Sequence, residues 1–184
     1  YVNDKWLENG LAEINDDIAL IPQDTEILST TVLENITFGI DLDPKIIKLF
    51  MDIACLSEVV EHLPEGINSS IKDKGVNLSG GEQQRLALTR ALLAARGKEI
   101  ILCDEPTSNQ DLLTEAQIYK NIFTEFKDRT IISSVHRLHL LPLFDIIYIL
   151  KDGRIVGTGS YEELQESSEE FREMLSHSNI DKEI

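Results

Sequence analysis

The sequence is short of basic charge, of sulfur and of long apolar runs. Of its 184 residues, 17 are Lys or Arg against 33 Asp or Glu, a formal net charge of −16 at pH 7. Surfaces that hold DNA or RNA neutralise phosphates with clustered cations, and no basic stripe is present, so nucleic acid is not an expected partner. Cys55 and Cys103 are the only cysteines, each inside an apolar pattern. Two such residues build neither a disulfide framework nor a metal site, and a reducing, cytosolic compartment is expected. No apolar run approaches the ~20 residues of a membrane span, and no signal-peptide pattern is visible. Membrane association is therefore expected to run through a partner or through polypeptide outside this sequence. The first residue is Tyr1 rather than Met, which suggests a piece of a longer chain.

What is present suits a soluble α/β domain with a subdomain. Its acid excess is densest in Glu162-Glu163, Glu166, Glu169-Glu170 and Glu173, read as solvated helix faces. The most informative stretch is Asn77-Leu78-Ser79-Gly80-Gly81-Glu82-Gln83-Gln84-Arg85. Ser79 and Glu82 form a capping box, which accounts for both of them. It does not account for the glycines, which cost about 1 kcal/mol each relative to alanine in a helix. Glycines there let something approach the backbone closely. A helix start with bare N–H groups and a positive dipole end suits a phosphate, to which the serine hydroxyl adds a donor.

Tyr1 to Trp6 alternates weakly like an edge strand, with Glu8-Asn9-Gly10 as a turn signal. Ile18 to Ile21 is a short apolar run stopped by Pro22, a buried strand that leaves Gln23 at its end. Thr31 with Glu34 opens a short helix that stops by Gly39. Asp43 and Pro44 start another, with Ile46, Ile47, Phe50, Ile53 and Ala54 at helical spacing. A third runs from Ser57 to Leu63 before Pro64. The segment from Gln23 to Ser79 thus reads as a helical subdomain inserted into an α/β body.

The helix from Gly80 carries Leu86, Leu92 and Leu93 and ends near Gly97. Ile100 to Cys103 is a continuous apolar run of the kind buried on both faces of a parallel sheet. A helix capped by Asp111 follows, then a strand from Thr130 and another over Ile146 to Leu150, a βαβ pattern. Asp152-Gly153 is a hairpin signal. Ser160 with Glu163, and Ser167 with Glu170, read as capping boxes for two terminal helices.

Asp104 and Glu105 stand at the carboxyl end of a buried strand, where open α/β sheets place their ligands. Two adjacent acids there are costly unless a cation or a hydrogen-bond network receives them. Asp104 suits Mg²⁺ held against nucleotide phosphates, leaving Glu105 to orient a water and accept its proton. His136 follows the next strand, which in a parallel sheet lies beside the one ending at Asp104, and suits donation to a γ-phosphate. His62, His139 and His177 read as surface or packing residues.

Taken together these residues resemble an ABC-family ATP-binding domain, in order and spacing over nearly the whole chain. Gln23 resembles the Q-loop glutamine and Leu78 to Glu82 the LSGGQ-type signature. Ile101 to Glu105 resembles Walker B with its following glutamate, Ser108 to Asp111 the D-loop and His136 the switch histidine. The resemblance implies a P-loop NTPase-type core with an inserted helical subdomain, divided as 1–27, 28–96 and 97–184. It implies ATP and Mg²⁺ as cofactors, Asp104 and Gln23 serving the metal, Glu105 as base and His136 steadying the γ-phosphate. Such domains pair head to tail, as homo- or heterodimers. Ser79, Gly80, Gly81 and Glu82 would then meet nucleotide held by the partner, and Asp111 would work across the interface.

Departures from the family pattern are specific. Glu82 replaces the usual glutamine of the signature, and Asn109-Gln110 replaces the small and apolar pair usual in the D-loop. No GxxxxGK(S/T) phosphate loop occurs; in the family it precedes the Q-loop, and its strand lies inside the sheet. The expectation is the C-terminal part of an exporter-like motor, inactive alone, on the cytoplasmic side of a membrane beside a fused or separate transmembrane permease. Thr31 to Ile36, Leu63-Pro64-Glu65-Gly66 and Lys72-Asp73-Lys74-Gly75 resemble the exporter type. The alternatives are a soluble ABC ATPase acting on nucleic acid and a regulatory, non-transport ABC protein. The first usually carries a coiled coil or zinc insertion before the signature, absent here, and the second would not need Glu105 or His136.

Overall fold

The computed structural model describes Glu8 and residues 10–23, 26–71 and 78–180. The edge strand expected over Tyr1 to Trp6, Asn9 of the first turn, the Lys72 to Gly75 stretch and Asn77 lie outside the described residues. The chain divides into two units, residues 1–134 and 135–184.

In the first unit a 3₁₀ segment, Gly10–Asp17, leads into β1 (Ile18–Ile21). Helices α1 (Val32–Thr37), α2 (Pro44–Ile53), α3 (Ser57–Glu61) and α4 (Gly80–Ala94) follow, then β2 (Ile100–Asp104), α5 (Leu112–Glu125) and β3 (Thr130–Ser134). The strands form one parallel sheet in the order β1-β2-β3, with Ile21 opposite Cys103 and Asp104 opposite Ser134. All three carboxyl ends therefore share one edge.

Helix starts follow local chemistry. The Thr31 hydroxyl accepts the Glu34 N–H while Glu34 receives the Thr31 N–H, and Asp43 accepts from the Lys45 N–H with Pro44 behind it. These bonds satisfy donors that a helix start leaves open, and each cap is worth about 1 kcal/mol. Asn35 is fully buried and bonds both the N–H and the C=O of Leu28, at 2.8 and 2.9 Å, fixing the approach to α1.

Two hydrophobic clusters share α2 and α4. One joins Ile21, Ile101 and Cys103 of the sheet to Phe50, Ile53, Leu88, Leu92, Ile118 and Ile122. The other gathers Val32, Ile36, Ile47, Met51, Val60, Leu78 and Leu86 around the helices. Burial of each such side chain contributes about 1.5–3 kcal/mol, so α4 ties the helical segment to the sheet. The expectation of a strand buried on both faces is corrected. Along β2 buried and half-buried residues alternate, and the opposite face leaves Leu20 63% and Ile132 57% exposed. The reason is the two-residue period of a strand, combined with α2, α4 and α5 packing on the Ile101 and Cys103 face.

The second unit holds a 3₁₀ turn at Leu138–Leu143, β4 (Ile147–Lys151), β5 (Arg154–Gly159), α6 (Tyr161–Ser167) and α7 (Glu169–Ile180). β4 is not a further strand of the parallel sheet: it pairs antiparallel with β5 in a sheet of two. A 3₁₀ turn rather than a crossover helix separates β3 from β4, so the parallel βαβ pattern stops at β3. Asp152 (φ 51°) and Gly153 (φ 73°) make the hairpin turn, whose twist requires positive φ at both positions. Leu141, Ile147, Ile149, Leu164 and Phe171 form this unit's core. The cap of α7 is Ser168, which accepts the Phe171 N–H at 3.2 Å, rather than Ser167. Ser167 still belongs to α6 and donates its hydroxyl to the Glu163 carbonyl.

Candidate functional site

Sheet register brings together three of the side chains singled out in the sequence. Gln23, two residues beyond β1, donates from Nε2 to Glu105 Oε2 at 3.2 Å. Asp104 ends β2, and its carboxylate accepts the Ser134 hydroxyl from β3 at 2.7 Å. The same Ser134 oxygen accepts the Glu105 backbone N–H at 3.1 Å. Glu105 has φ 43°, a left-handed conformation that crowds a β-carbon and costs about 1–3 kcal/mol. Its amide is thus tied in the very turn where the backbone is strained.

This edge offers two carboxylates and a side-chain amide. Among the described residues no three His, Cys, Asp or Glu side chains are grouped to hold an ion. The donor set fits Mg²⁺, which keeps several waters and takes one or two carboxylates together with substrate phosphates. Beneath the edge, burial pushes the Cys103 thiol up to about 12, so Cys103 is a neutral packing group. Tyr119 and Ser133 share a hydrogen bond of 2.8 Å, and burial raises the phenol above its ordinary range.

The start of α4 forms a second locus. The Ser79 oxygen accepts the Glu82 N–H at 3.3 Å, and Glu82 accepts the Ser79 N–H at 2.7 Å. The Ser79 hydroxyl proton is not used by this capping box. The two glycines have different surroundings. A β-carbon on Gly80 would meet nothing within 4 Å. One on Gly81 would sit 3.0 Å from the Asn109 carbonyl oxygen and 3.4 Å from the Gln110 amide. The group that approaches Gly81 closely is therefore the chain's own Ser108 to Asp111 loop, a packing reason that the sequence reading did not contain.

That loop is held firmly. Gln84, buried on α4, donates to the Ser108 hydroxyl at 3.1 Å and accepts the Asn109 N–H at 3.0 Å. The Thr107 hydroxyl donates to Glu115 at 2.7 Å, both residues buried. Asp111 caps α5, accepting from the Leu113 and Thr114 amides at 3.1 and 3.0 Å and from the Thr114 hydroxyl at 2.6 Å. The Thr114 hydroxyl above all, followed by these amides, holds the Asp111 carboxyl below the ordinary carboxylate range.

His136 lies in the second unit, two residues after β3 in the chain. Ser134, Gln84 and Gln110 are the contributors that motif reasoning passed over or counted only as a departure. The available signal for Ser134 was a polar Ser133-Ser134 pair ending an apolar strand, opposite an acid once the register is known.

A family model described as ABC transporter matches residues 2–108. The chain is 34% identical over 177 residues to the lactococcin-G-processing and transport ATP-binding protein LagD of Lactococcus lactis subsp. lactis, covering 95% of this chain and 24% of that protein. It is 36% identical over 160 residues to a putative export ATP-binding/permease protein of Rickettsia bellii, covering 87% and 28%. Among solved structures it resembles a bacterial Atm1-family ABC exporter with ATP bound, with a TM-score of 0.80 and 30% identity over 90% of this chain and 29% of that one. The chain thus spans less than a third of the length of these relatives.

Proposed function

The chain belongs to the ABC transporter family, and from that premise we propose that it is the C-terminal part of an ATP-driven export motor. The observation that carries the reading is the meeting of Gln23, Asp104, Glu105 and Ser134 at the carboxyl edge of the parallel sheet. A division into 1–27, 28–96 and 97–184 draws support from the cluster that α1, α2, α3 and α4 form among themselves.

Bound Mg²⁺ would supply charge neutralisation on the phosphate oxygens. Asp104 and Gln23 would hold it, with the Ser134 hydroxyl fixing the Asp104 carboxylate. Glu105 orients the attacking water and takes its proton. His136 is assigned to the γ-phosphate on the family resemblance. The Ser79 hydroxyl and the bare N–H groups of Gly80 and Gly81 face the nucleotide of a second ATP-binding domain, paired head to tail, and Asp111 acts at that interface. Glu82 orders the helix start through its capping bond. Transport would run through a membrane permease, fused or separate, a reading that the export ATP-binding/permease relative supports; among the described residues no helix is long and apolar enough to cross a membrane. The motor then sits on the membrane's cytoplasmic side. The exporter names of the relatives support this assignment.

The test compares residues 1–184 alone with the protein carrying its native upstream sequence. Nucleotide turnover is expected only in the latter, reconstituted with its membrane portion, because this sequence has no phosphate loop of the GxxxxGK(S/T) type. Robust turnover by residues 1–184, or full activity of the longer protein as a soluble enzyme without a membrane partner, overturns the proposal. A finer prediction concerns Ser134→Ala. In the reconstituted protein the Mg²⁺ concentration for half-maximal turnover should rise and kcat fall about tenfold, the order of one hydrogen bond to a charged group. Ser134 is exposed and outside the hydrophobic clusters, so the fold should survive the loss of its bonds to Asp104 and to the Glu105 N–H; an unchanged Mg²⁺ profile removes it from the site.

A further inference from the structure

We infer that Gln110 is a positioning residue that locks the Ser108 to Asp111 loop onto the first turns of α4, so that Ser79-Gly80-Gly81 and Asp111 move as one body. The inference rests on the functional reading above for what those two groups do, and on geometry alone for the lock.

Gln110 is buried, 6% exposed, although it sits in a loop. Its Nε2 donates to the Gly81 carbonyl at 2.9 Å and to Gln84 Oε1 at 3.1 Å. Its Oε1 accepts Arg85 Nη1 at 3.3 Å. One amide therefore bridges three residues of α4. Gln84 Oε1 also receives the Asn109 N–H, so the bridge continues into the loop backbone. Arg85 Nε is buried with no hydrogen-bond partner among the described residues, which raises the cost of losing the acceptor that Gln110 gives to Nη1. Gly81 completes the seat, because any β-carbon there would press on the Asn109 carbonyl.

A buried hydrogen-bonded network specifies one arrangement, since slipping it leaves further donors and acceptors unpaired. An apolar side chain at this loop position would make none of these bonds. In this chain a shift of the α4 start on meeting nucleotide is passed to Asp111 without slack, and the reverse holds equally. Gln110 touches no nucleotide in this scheme; it acts through Gly81, Gln84 and Arg85.

The test uses the protein with its native upstream sequence and two variants, Gln110→Ala and Gln110→Met, the second filling similar space without an amide. Amide hydrogen exchange at Asn109 is expected to quicken about tenfold in both variants, the order of one buried hydrogen bond lost. kcat is expected to fall about tenfold with KM for ATP within about twofold, because the lock serves a step after binding. Wild-type exchange at Asn109 in both variants overturns the lock, and so does an unchanged kcat alongside faster exchange. Recovery of wild-type behaviour by Gln110→Met also overturns it, since packing alone would then suffice. If the unsubstituted protein turns over no ATP, the functional reading fails, while the exchange comparison still decides whether the lock exists.

Discussion

Glu105→Gln, in the protein with its native upstream sequence, is expected to lower ATP turnover by roughly 10²–10⁴-fold, the range for loss of a general base, while nucleotide binding survives. The substitution keeps the side chain's size and removes its ability to take a proton. Gln23 donates to one Glu105 oxygen, and the amide oxygen of a glutamine accepts that bond as well. The strained backbone at this residue, φ 43°, is tied by the bond from its own N–H to Ser134, which no side-chain change at 105 removes. The variant should therefore fold and bind, then stall before hydrolysis with ATP-bound dimers accumulating. Single-turnover kinetics and the oligomeric state in ATP together check it. Turnover within a few fold of the parent would mean that another group is the base.

That prediction depends on two kinds of information, and the sequence holds them unequally. Asp104 and Glu105 follow the four-residue apolar run Ile100 to Cys103, and that run is itself the local signal of the strand whose end they mark. Capping is equally local: Thr31, Ser79 and Ser160 each meet an acid three residues on, and all three form capping boxes. Asp152-Gly153 fixes its hairpin because few residue pairs accept positive φ twice.

Pairings distant in the chain are not written locally. Ser134 reaches Asp104 across 30 residues and Gln110 reaches Gly81 across 29, and nothing near any of these residues announces the match. The positive φ of Glu105 is invisible for the same reason, since a glutamate carries no preference for it and tertiary bonds impose it. Where two local signals compete, the chain decides. Ser167 has the acid three residues on, but α6 still occupies Ser167 and the cap passes to Ser168. The resemblance to a known family named the candidate residues; the register of the sheet explains why Gln23 and Glu105 touch.

The glycines of the α4 start allow a sharper separation of packing from ligand contact. Gly81→Ala is expected to reduce turnover by one to two orders of magnitude, matching the about 1–3 kcal/mol typical of forcing a methyl into a filled space. Its β-carbon would lie 3.0 Å from the Asn109 backbone carbonyl, an atom that cannot rotate away, so the Ser108 to Asp111 loop must shift. Loop displacement should appear as faster amide exchange at Asn109, whose N–H bonds Gln84. Gly80→Ala places its methyl in open space. It should leave Asn109 exchange unchanged and alter thermal stability by no more than about 1 kcal/mol, the helix-propensity difference. Any loss of turnover in Gly80→Ala then reports on the approach of a phosphate to the helix start and not on the loop. Equal exchange at Asn109 in the two variants would show that the loop does not lean on Gly81, and the close approach would need another cause.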